Sequence, residues 1–534
     1  MAININTLYI LEELLKSKVV MTMRNIIEVL PQLKLTPRQF QNLMKEILEN
    51  ARAIPIGASV DTNYLAEPLQ KIYKKYRFVF VYKDNELAGI LVQRDSDYVF
   101  KYMSQYLVDR LQPIPTLELS LKPIVSDILF PVFEENLPEG VNKDILEISM
   151  RKTDDLDKLT SLTHNIGDLF FSYSDKEDKL IVKEKRKSFL SNEDEILGKN
   201  EFPNILKDFK IELSEEEIFP KESELTILKQ KEMSGISGFQ YKKLMELDYD
   251  KKSILEDETS RSFIFKPYSD IKVSPTTQHY LPHLAINEHL FMTFAKNELG
   301  FKVPASYLIQ RKQDKEFHYL VKRFDRLGTQ KYTKVTFATL LGLVSETKYK
   351  TSSEKMFERV KKELKSKSER MMLLKYYFYS MLITHEDMHT KNLSLIFDGD
   401  ITLLAPLYDI ATTSIYPFLK GYDSHLPING QHSNITPKCF KYLTDIMEIK
   451  HSDFMKEASI IIKAYVEILP SYFEKIKDID PKPIVFKVKR KILRGDDIKY
   501  YKDEQSDPIE LGKLLKIKHK QRIEKLKELG WIKV

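Results

Sequence analysis

The stretch His385-Glu386-Asp387-Met388-His389-Thr390-Lys391-Asn392 decides how the rest of the chain is read. It sets an aspartate two positions after a histidine and an asparagine five positions after the aspartate. The spacing has a mechanical reason. In phosphoryl transfer an aspartate must meet the acceptor hydroxyl, while an asparagine one turn of loop further on reaches a Mg²⁺ that bridges the phosphates. Three residue types at fixed spacing also arise by chance, so the reading depends on what lies on either side.

Downstream, Leu403-Leu404-Ala405-Pro406-Leu407-Tyr408-Asp409-Ile410 offers an aspartate after an apolar strand, where a second metal ligand belongs, although the Phe and Gly of Asp-Phe-Gly are absent. Upstream, Ser262-Phe263-Ile264-Phe265-Lys266-Pro267 puts one lysine inside an apolar strand pattern. A lysine there is costly unless it meets phosphate or carboxylate. Ala285-Ile286-Asn287-Glu288-His289-Leu290 then opens a long amphipathic helix. Glu288 either pairs with Lys266 or is an ordinary solvated helix residue; the pattern leaves both readings open.

Earlier still, Met233-Ser234-Gly235-Ile236-Ser237-Gly238-Phe239-Gln240-Tyr241-Lys242 reads as a Gly/Ser turn whose backbone N–H groups can face phosphate oxygens, with Lys242 adding charge. Alone it is equally a plain turn. Tyr319-Leu320-Val321-Lys322-Arg323-Phe324-Asp325-Arg326 ends an apolar strand in a charged turn, either a hinge whose backbone hydrogen-bonds a base or a solvated strand end. Taken in order, Gly loop, strand lysine, helix glutamate, catalytic Asp and Asn, and metal Asp follow the sequence a protein kinase requires. The loop matches the kinase His-Arg-Asp pattern at every position but the arginine, which is Glu386.

The chain that carries these motifs has 534 residues, enough for two to four domains, and its 42% hydrophobic and 30% charged content is that of a globular protein. The single cysteine, Cys439, excludes an intramolecular disulfide framework and gives no zinc signature. The N-terminus has no basic leader, and no apolar run is long enough for a bilayer, so we expect a cytoplasmic protein with no membrane partner. Of the net charge of +6, residues 482–534 contribute a surplus of eight, from 16 Lys and Arg against 8 Asp and Glu. This basic stretch reads either as a solvated tail or as a contact for nucleic acid or an acidic partner. Trp531 is placed to anchor the last helix by burying its ring.

Residues 1–66 behave as a separate unit: two helical patterns, then Leu35-Thr36-Pro37 with Thr36 as N-cap, a third helix to about Asn50, and an alternating wing around Gly57–Asp61. Three helices and a hairpin make a winged helix-turn-helix. The third helix keeps Phe40 inward and leaves Arg38, Gln39, Gln41, Asn42 and Lys45 outward, side chains suited to base edges, with Ser59 and Asn63 in reach of phosphate. Seven basic against six acidic residues is a weak balance for DNA, so a role in protein contacts stays open. Residues 76–103 alternate strongly, with a hairpin turn at Lys83-Asp84-Asn85, while 176–232 read as a surface connection.

The stretches G-I-S-G-F-Q-Y-K, F-I-F-K-P, I-N-E-H-L, V-K-R-F-D-R, H-E-D-M-H-T-K-N-L-S and L-A-P-L-Y-D-I resemble the HipA family of bacterial toxin serine/threonine kinases. V-Y-K-D-N-E-L-A-G-I-L, F-P-V-F-E-E-N-L-P-E-G and L-T-S-L-T-H-N-I-G-D resemble that family's N-terminal subdomain, and the likeness covers about residues 76–475. The expected fold class is α+β, a bilobal protein-kinase-like fold with an N-terminal winged helix-turn-helix: 1–66 winged helix, 76–175 N-terminal subdomain, 176–325 N-lobe, 326–475 helical C-lobe, 476–534 basic tail.

The resemblance implies ATP- and Mg²⁺-dependent phosphorylation of a protein, characteristically an aminoacyl-tRNA synthetase, with growth arrest and restraint by a DNA-binding antitoxin. By motif position it makes Asp387 the catalytic base, completed by His389 and Lys391, and Asn392 and Asp409 the Mg²⁺ ligands. Ser237, Gly238, Gln240, Lys242, Lys266, Glu288, Lys322, Arg323 and Phe324 would line the ATP site. Gly235 stands where members carry an inhibitory autophosphorylated serine, which points to Ser237 or Ser234 instead. Glu386 leaves no arginine for an activation-loop phosphate. The fused winged helix resembles a subset of the family able to bind its own operator DNA. A transcriptional regulator that senses nucleotide, or a small-molecule phosphotransferase, is the competing reading.

Overall fold

The computed structural model describes residues 21–22, 36, 38–42, 45, 53–56 and 63–66 of the N-terminal stretch and most of residues 77–532. Residues 104–105, 107–111, 121–122, 140–141, 144–153, 163–166, 175–186, 214–240, 257–260, 269–280, 312–315, 418 and 495–497 lie outside the described ones. The chain divides into two compact units. One comprises Met1–Pro138, Leu146–Lys185 and Lys229–Ile236, the other Glu139–Ile145, Arg186–Leu228 and Ser237–Val534.

In the first unit a five-stranded antiparallel sheet runs in the order Ile124–Ser126, Tyr98–Tyr102, Glu86–Gln93, Arg77–Lys83, Leu169–Ser172. Its central hairpin turns where expected, with Asp84 and Asn85 both at positive φ, the geometry whose twist matches the flanking strands. Both faces are apolar. Val79, Val81, Leu91 and Phe100 pack with Phe130, Phe133 and Leu156, while Phe80, Tyr82, Ile90 and Val92 form a second cluster. At Gly89 the neighbouring strand comes so close that a Cβ would stand 2.4 Å from the Lys101 carbonyl oxygen, so only glycine fits.

Also in this unit, Met21–Thr22, Asn63–Ala66 and Ala53–Ile56 form a three-stranded antiparallel sheet, the two longer strands pairing Ala53 with Ala66 and Ile56 with Asn63. Thr36 and Gln39 make a reciprocal capping box, Gln39 N–H donating to Thr36 Oγ1 (3.3 Å) and Thr36 N–H to Gln39 Oε1 (2.9 Å). Phe40 is fully buried and Arg38, Gln39, Gln41, Asn42 and Lys45 are exposed. Pro37, Ser59 and the rest of the expected helices lie outside the described residues.

In the second unit a six-stranded sheet runs Ser306–Gln310, Phe317–Lys322, Phe263–Lys266, Lys243–Asp248, Ser253–Leu255, Lys210–Ile211, antiparallel but for the last pair. Against it lies the helix Leu284–Leu299, closed by Gly300 at positive φ. Its sequence suggests an amphipathic helix, yet every residue from Ile286 to Ala295 is buried. Polar Asn287, Glu288 and His289 are accommodated because each finds a partner inside. A three-stranded sheet, Thr333–Thr336, Ser394–Asp398 and Ile401–Leu404, and the helices Lys367–Leu382, Pro437–Ile446 and His451–Glu467 build the remainder around one large core.

The C-terminal stretch corrects the solvated-tail reading. After an antiparallel hairpin of Lys487–Arg494 with Ile498–Gln505, the helix Leu511–Glu528 sends Leu511, Leu514, Leu515 and Leu526 into the core, while Lys513, Lys516, Lys520 and Lys527 stay exposed. Trp531 buries its ring against Phe378 and Phe440, as expected, and donates Nε1–H to the Ile435 carbonyl (2.7 Å). Among the described residues no helix is long and apolar enough to cross a membrane.

Candidate active site

The site assembles around Lys266. Its strand, Phe263–Lys266, lies between Phe317–Lys322 and Lys243–Asp248, which fixes the backbone by ladders on both sides. The buried ammonium lies 2.8 Å from both oxygens of Glu288 and 2.6 Å from Asp409 Oδ1, over the Tyr319 ring. The structure thus settles the Glu288 question in favour of pairing. Burial opposes the charge on Lys266, but the Asp409 and Glu288 carboxylates outweigh it and hold the ammonium more firmly protonated than an ordinary lysine. Burial likewise disfavours ionised Asp409, and the lysines at 266 and 242 overcome it, keeping the carboxylate charged. Glu288 is pushed up by burial, beyond what Lys266 restores, because its partner is shared with Asp409.

Asp409 sits at φ +56, a left-handed conformation rare outside glycine and typical of residues whose surroundings over-determine them. Those surroundings are identifiable. Tyr408 donates its hydroxyl to the Lys391 carbonyl (2.7 Å), and the His385 ring donates Nδ1–H to the Ala411 carbonyl (2.7 Å). Asn287, beside Glu288 on the helix, donates to the Thr412 carbonyl (2.8 Å) and accepts from the Thr412 N–H (3.0 Å). One helical turn therefore fixes both the partner of Lys266 and the backbone that follows Asp409.

In the loop Thr384–Asn392, Asn392 gives its Nδ2 to the Asp387 carbonyl (2.8 Å). Since a carbonyl only accepts, this assigns the amide and leaves Oδ1 as the oxygen able to meet a cation. His389 accepts the Lys391 N–H at Nδ1 (3.1 Å), and burial, then the Lys348 charge, lower its pKa. The ring is therefore neutral with its proton on Nε2, 3.9 Å from Asp387 Oδ1. The Asp387 side chain remains 60% accessible. Desolvation by the surrounding walls and then the Asp409 charge push its pKa up to about 7, against the opposing pull of the Lys348 and Lys242 charges.

Lys242 is buried, and Asn142 clamps its backbone in both directions, accepting its N–H (3.2 Å) and donating to its carbonyl (2.9 Å). Burial lowers the Lys242 pKa, opposed first by Asp409. Lys391 pairs with Glu139, which also takes Lys348 (3.0 Å) and Ser345 Oγ–H (2.6 Å). Burial opposes the Glu139 charge, and Lys391 and Lys348 more than reverse this, so the carboxyl stays ionised far below its ordinary range.

The expected hinge is placed differently from the rest. Lys322 sends its ammonium to the Glu195 carbonyl (2.5 Å), and Arg323 forks onto Asp325 (2.8 and 2.6 Å). The N–H groups of Lys322 and Arg323 are already given to the carbonyls of Ala305 and Ser262, so base recognition by those donors does not fit. Phe324 packs on Tyr408, ring centroids 5.4 Å apart. Ser234, Ser237, Gly238 and Gln240 lie outside the described residues.

Among the described residues no cluster of three or more His, Cys, Asp or Glu could hold a metal by itself. A Mg²⁺ held by one carboxylate and one amide oxygen, with phosphates and water supplying the rest, needs no such cluster. Asp409, ionised and next to the lysine, and Asn392 Oδ1 are suited to it. Sequence reading missed Glu139, Asn142, Asn287 and Lys348. The first three lie inside or beside quoted motifs, but their partners are 100 or more residues away.

A family model described as HipA-like C-terminal domain matches residues 234–471, and one described as HipA N-terminal domain matches 79–169. "Putative kinase Y4dM" of Sinorhizobium fredii is 30% identical over 149 residues, 26% of this chain and 36% of that protein. "Putative kinase Y4mE" of the same organism is 29% identical over 111 residues, 19% of this chain and 26% of that protein. The chain thus matches about a third or less of the length of these curated relatives. A solved structure of the toxin-antitoxin system HipA, HipB and its operator DNA complex from Shewanella oneidensis MR-1 shares the fold. Its TM-score is 0.53 at 15% identity, covering 84% of this chain and 97% of that one.

Proposed function

The chain belongs to the HipA family, and from that premise we propose that it is an ATP- and Mg²⁺-dependent serine/threonine protein kinase of the toxin type. The observation that carries the reading is the meeting of Lys266, Glu288 and Asp409, drawn from three separate elements, beside the Asp387–Asn392 loop. In this reading Mg²⁺-ATP supplies the phosphoryl group. Lys266 and Lys242 bind its phosphates, Asn392 Oδ1 and Asp409 hold the cation, and Asp387 accepts the proton of the acceptor hydroxyl. His389 completes the loop beside Asp387, its Nε2 3.9 Å from Oδ1, and Lys391 carries charge held in place by Glu139.

The protein acceptor is a translation component such as an aminoacyl-tRNA synthetase, and its phosphorylation arrests growth. Residues 1–66 form a winged helix-turn-helix in which exposed Arg38, Gln39, Gln41, Asn42 and Lys45 face operator DNA, with or without a separate antitoxin. The solved relative, named as a complex of HipA, HipB and operator DNA, supports both partners by analogy. Ser237 or Ser234 takes the regulatory autophosphate.

Expression of the wild type and of Asp387→Ala in bacteria, with phosphopeptide comparison of the two lysates, tests the reading. Growth arrest with a synthetase serine or threonine phosphorylated only by the wild type is the expected result. Equal growth and equal phosphopeptides would refute it. A mobility shift with upstream DNA, repeated on a chain lacking residues 1–66, tests the DNA contact.

A further inference from the structure

Glu386, the residue that replaces the arginine of the kinase loop, is not idle. Its carboxylate accepts three consecutive backbone N–H groups, from Lys420 (3.3 Å), Gly421 (2.6 Å) and Tyr422 (3.3 Å). Consecutive N–H groups turned to one point form an anion-binding nest, and Gly421, at φ +72, supplies the left-handed residue the nest requires. The backbone of Glu386 is engaged as well. Its N–H donates to Thr413 Oγ1 (3.1 Å), and its carbonyl accepts from His425 Nδ1 (2.9 Å). The His425 ring lies on Tyr349, which in turn packs edge-on against His389, so the same network reaches the loop histidine.

In other kinases the segment after the metal aspartate is ordered when a phosphate added to it meets the arginine of the catalytic loop. Here the polarity is inverted: the loop supplies the anion and the segment supplies the donors. We propose that Glu386 is a positioning residue that holds the backbone at Lys420–Tyr422 ordered from synthesis, so that this enzyme needs no activating phosphate there. The proposal deepens the kinase reading and rests on it.

The Lys420–Gly421 bond is exposed and tryptic, and its amide is the tightest of the three donors, so limited trypsin digestion of the full chain reads the clamp without any catalysis. Cleavage at that bond is expected to accelerate about tenfold or more in Glu386→Ala, the loss of a charge-assisted contact. Glu386→Gln, which keeps shape and one acceptor, should fall between, and cleavage elsewhere should not change. In parallel, initial rates of phosphate uptake from Mg²⁺-ATP should show a lowered maximal rate with KM for ATP within about twofold, because the clamp touches the acceptor side and not the nucleotide. Identical Lys420–Gly421 cleavage in all three chains, or a rise in KM with the maximal rate unchanged, overturns the proposal. If the wild type transfers phosphate neither to itself nor to any protein of a bacterial lysate, the kinase reading fails, and the digestion still decides whether the clamp exists.

Discussion

Lys266 Nζ lies 2.6 Å from Asp409 Oδ1 and 2.8 Å from each oxygen of Glu288, so a single buried ammonium is shared by two carboxylates. The arrangement stores the components of a phosphate site in a neutralised form. In the proposed reading Lys266 would hold the phosphates of the nucleotide and Asp409 its cation, so the Lys266–Asp409 contact would open when both bind.

Lys266→Met should therefore damage more than nucleotide binding. Removing the cation strands the buried Glu288 carboxylate and leaves the part-exposed Asp409 without its partner, a loss of about 3–5 kcal/mol when one partner of a buried pair is deleted. Thermal unfolding of the second unit is expected several degrees lower. In Lys266→Met/Glu288→Gln, with one carboxylate neutralised, part of that loss should return.

Glu139 makes a comparable prediction at the catalytic loop. Glu139→Ala leaves Lys391 and Lys348 facing each other without their shared anion, so a destabilisation of about 3 kcal/mol or more is expected, measured by denaturant unfolding. Phosphoryl transfer should fall with it. A chain whose stability and activity are unchanged by the substitution would show the pair to be incidental.

How much of this was legible in the sequence follows from where the partners lie. Lys266, Glu288, Asp387, Asn392 and Asp409 could be named because spacing within short motifs is fixed by local geometry. The hairpin at Asp84-Asn85 and the Thr36 cap were legible for the same reason. Glu139 with Lys391, Asn142 with Lys242 and Asn287 with Thr412 were not, since each pair joins segments 100 to 252 residues apart and neither half has a local signature. The C-terminal stretch was read as a basic tail because its lysines, which stay exposed, dominate composition, while its leucines carry the i, i+3, i+4 signal that places them inside.

His289 gives the fold a sensitivity to acid. Its ring is fully buried, with Nε2 accepting the Asn204 N–H (3.1 Å) and Nδ1 bonded to Ser306 Oγ (2.8 Å), and burial pushes its pKa down to about 3. The folded value lies below the unfolded value of about 6.5, so the stabilisation is complete above pH 6.5 and is lost as pH falls toward 3. Between pH 6.5 and 4.5 the loss from this one ring is about 2–3 kcal/mol. Urea midpoints measured over that range should fall for the wild type and fall less for His289→Gln.

Arg522 tests the integration of the C-terminal helix. It pairs with buried Asp423 (2.6 Å) and donates to the carbonyls of Leu382 and Met381 at the end of the helix that leads into the catalytic loop. Arg522→Ala should lower the unfolding temperature and increase hydrogen exchange around Asp423 and Ile383. Unaltered exchange at both places would separate the helix from the site.

The most direct measurement of the central claim is the intact mass of the purified chain before and after incubation with Mg²⁺-ATP, beside Asp387→Ala, Asp409→Asn and Lys266→Met. Phosphorylation of the wild type at a serine, absent from all three variants, is the predicted result. Phosphate gained equally by Asp387→Ala, or ATP bound by the wild type with no transfer to itself or to any protein of a bacterial lysate, would contradict the account.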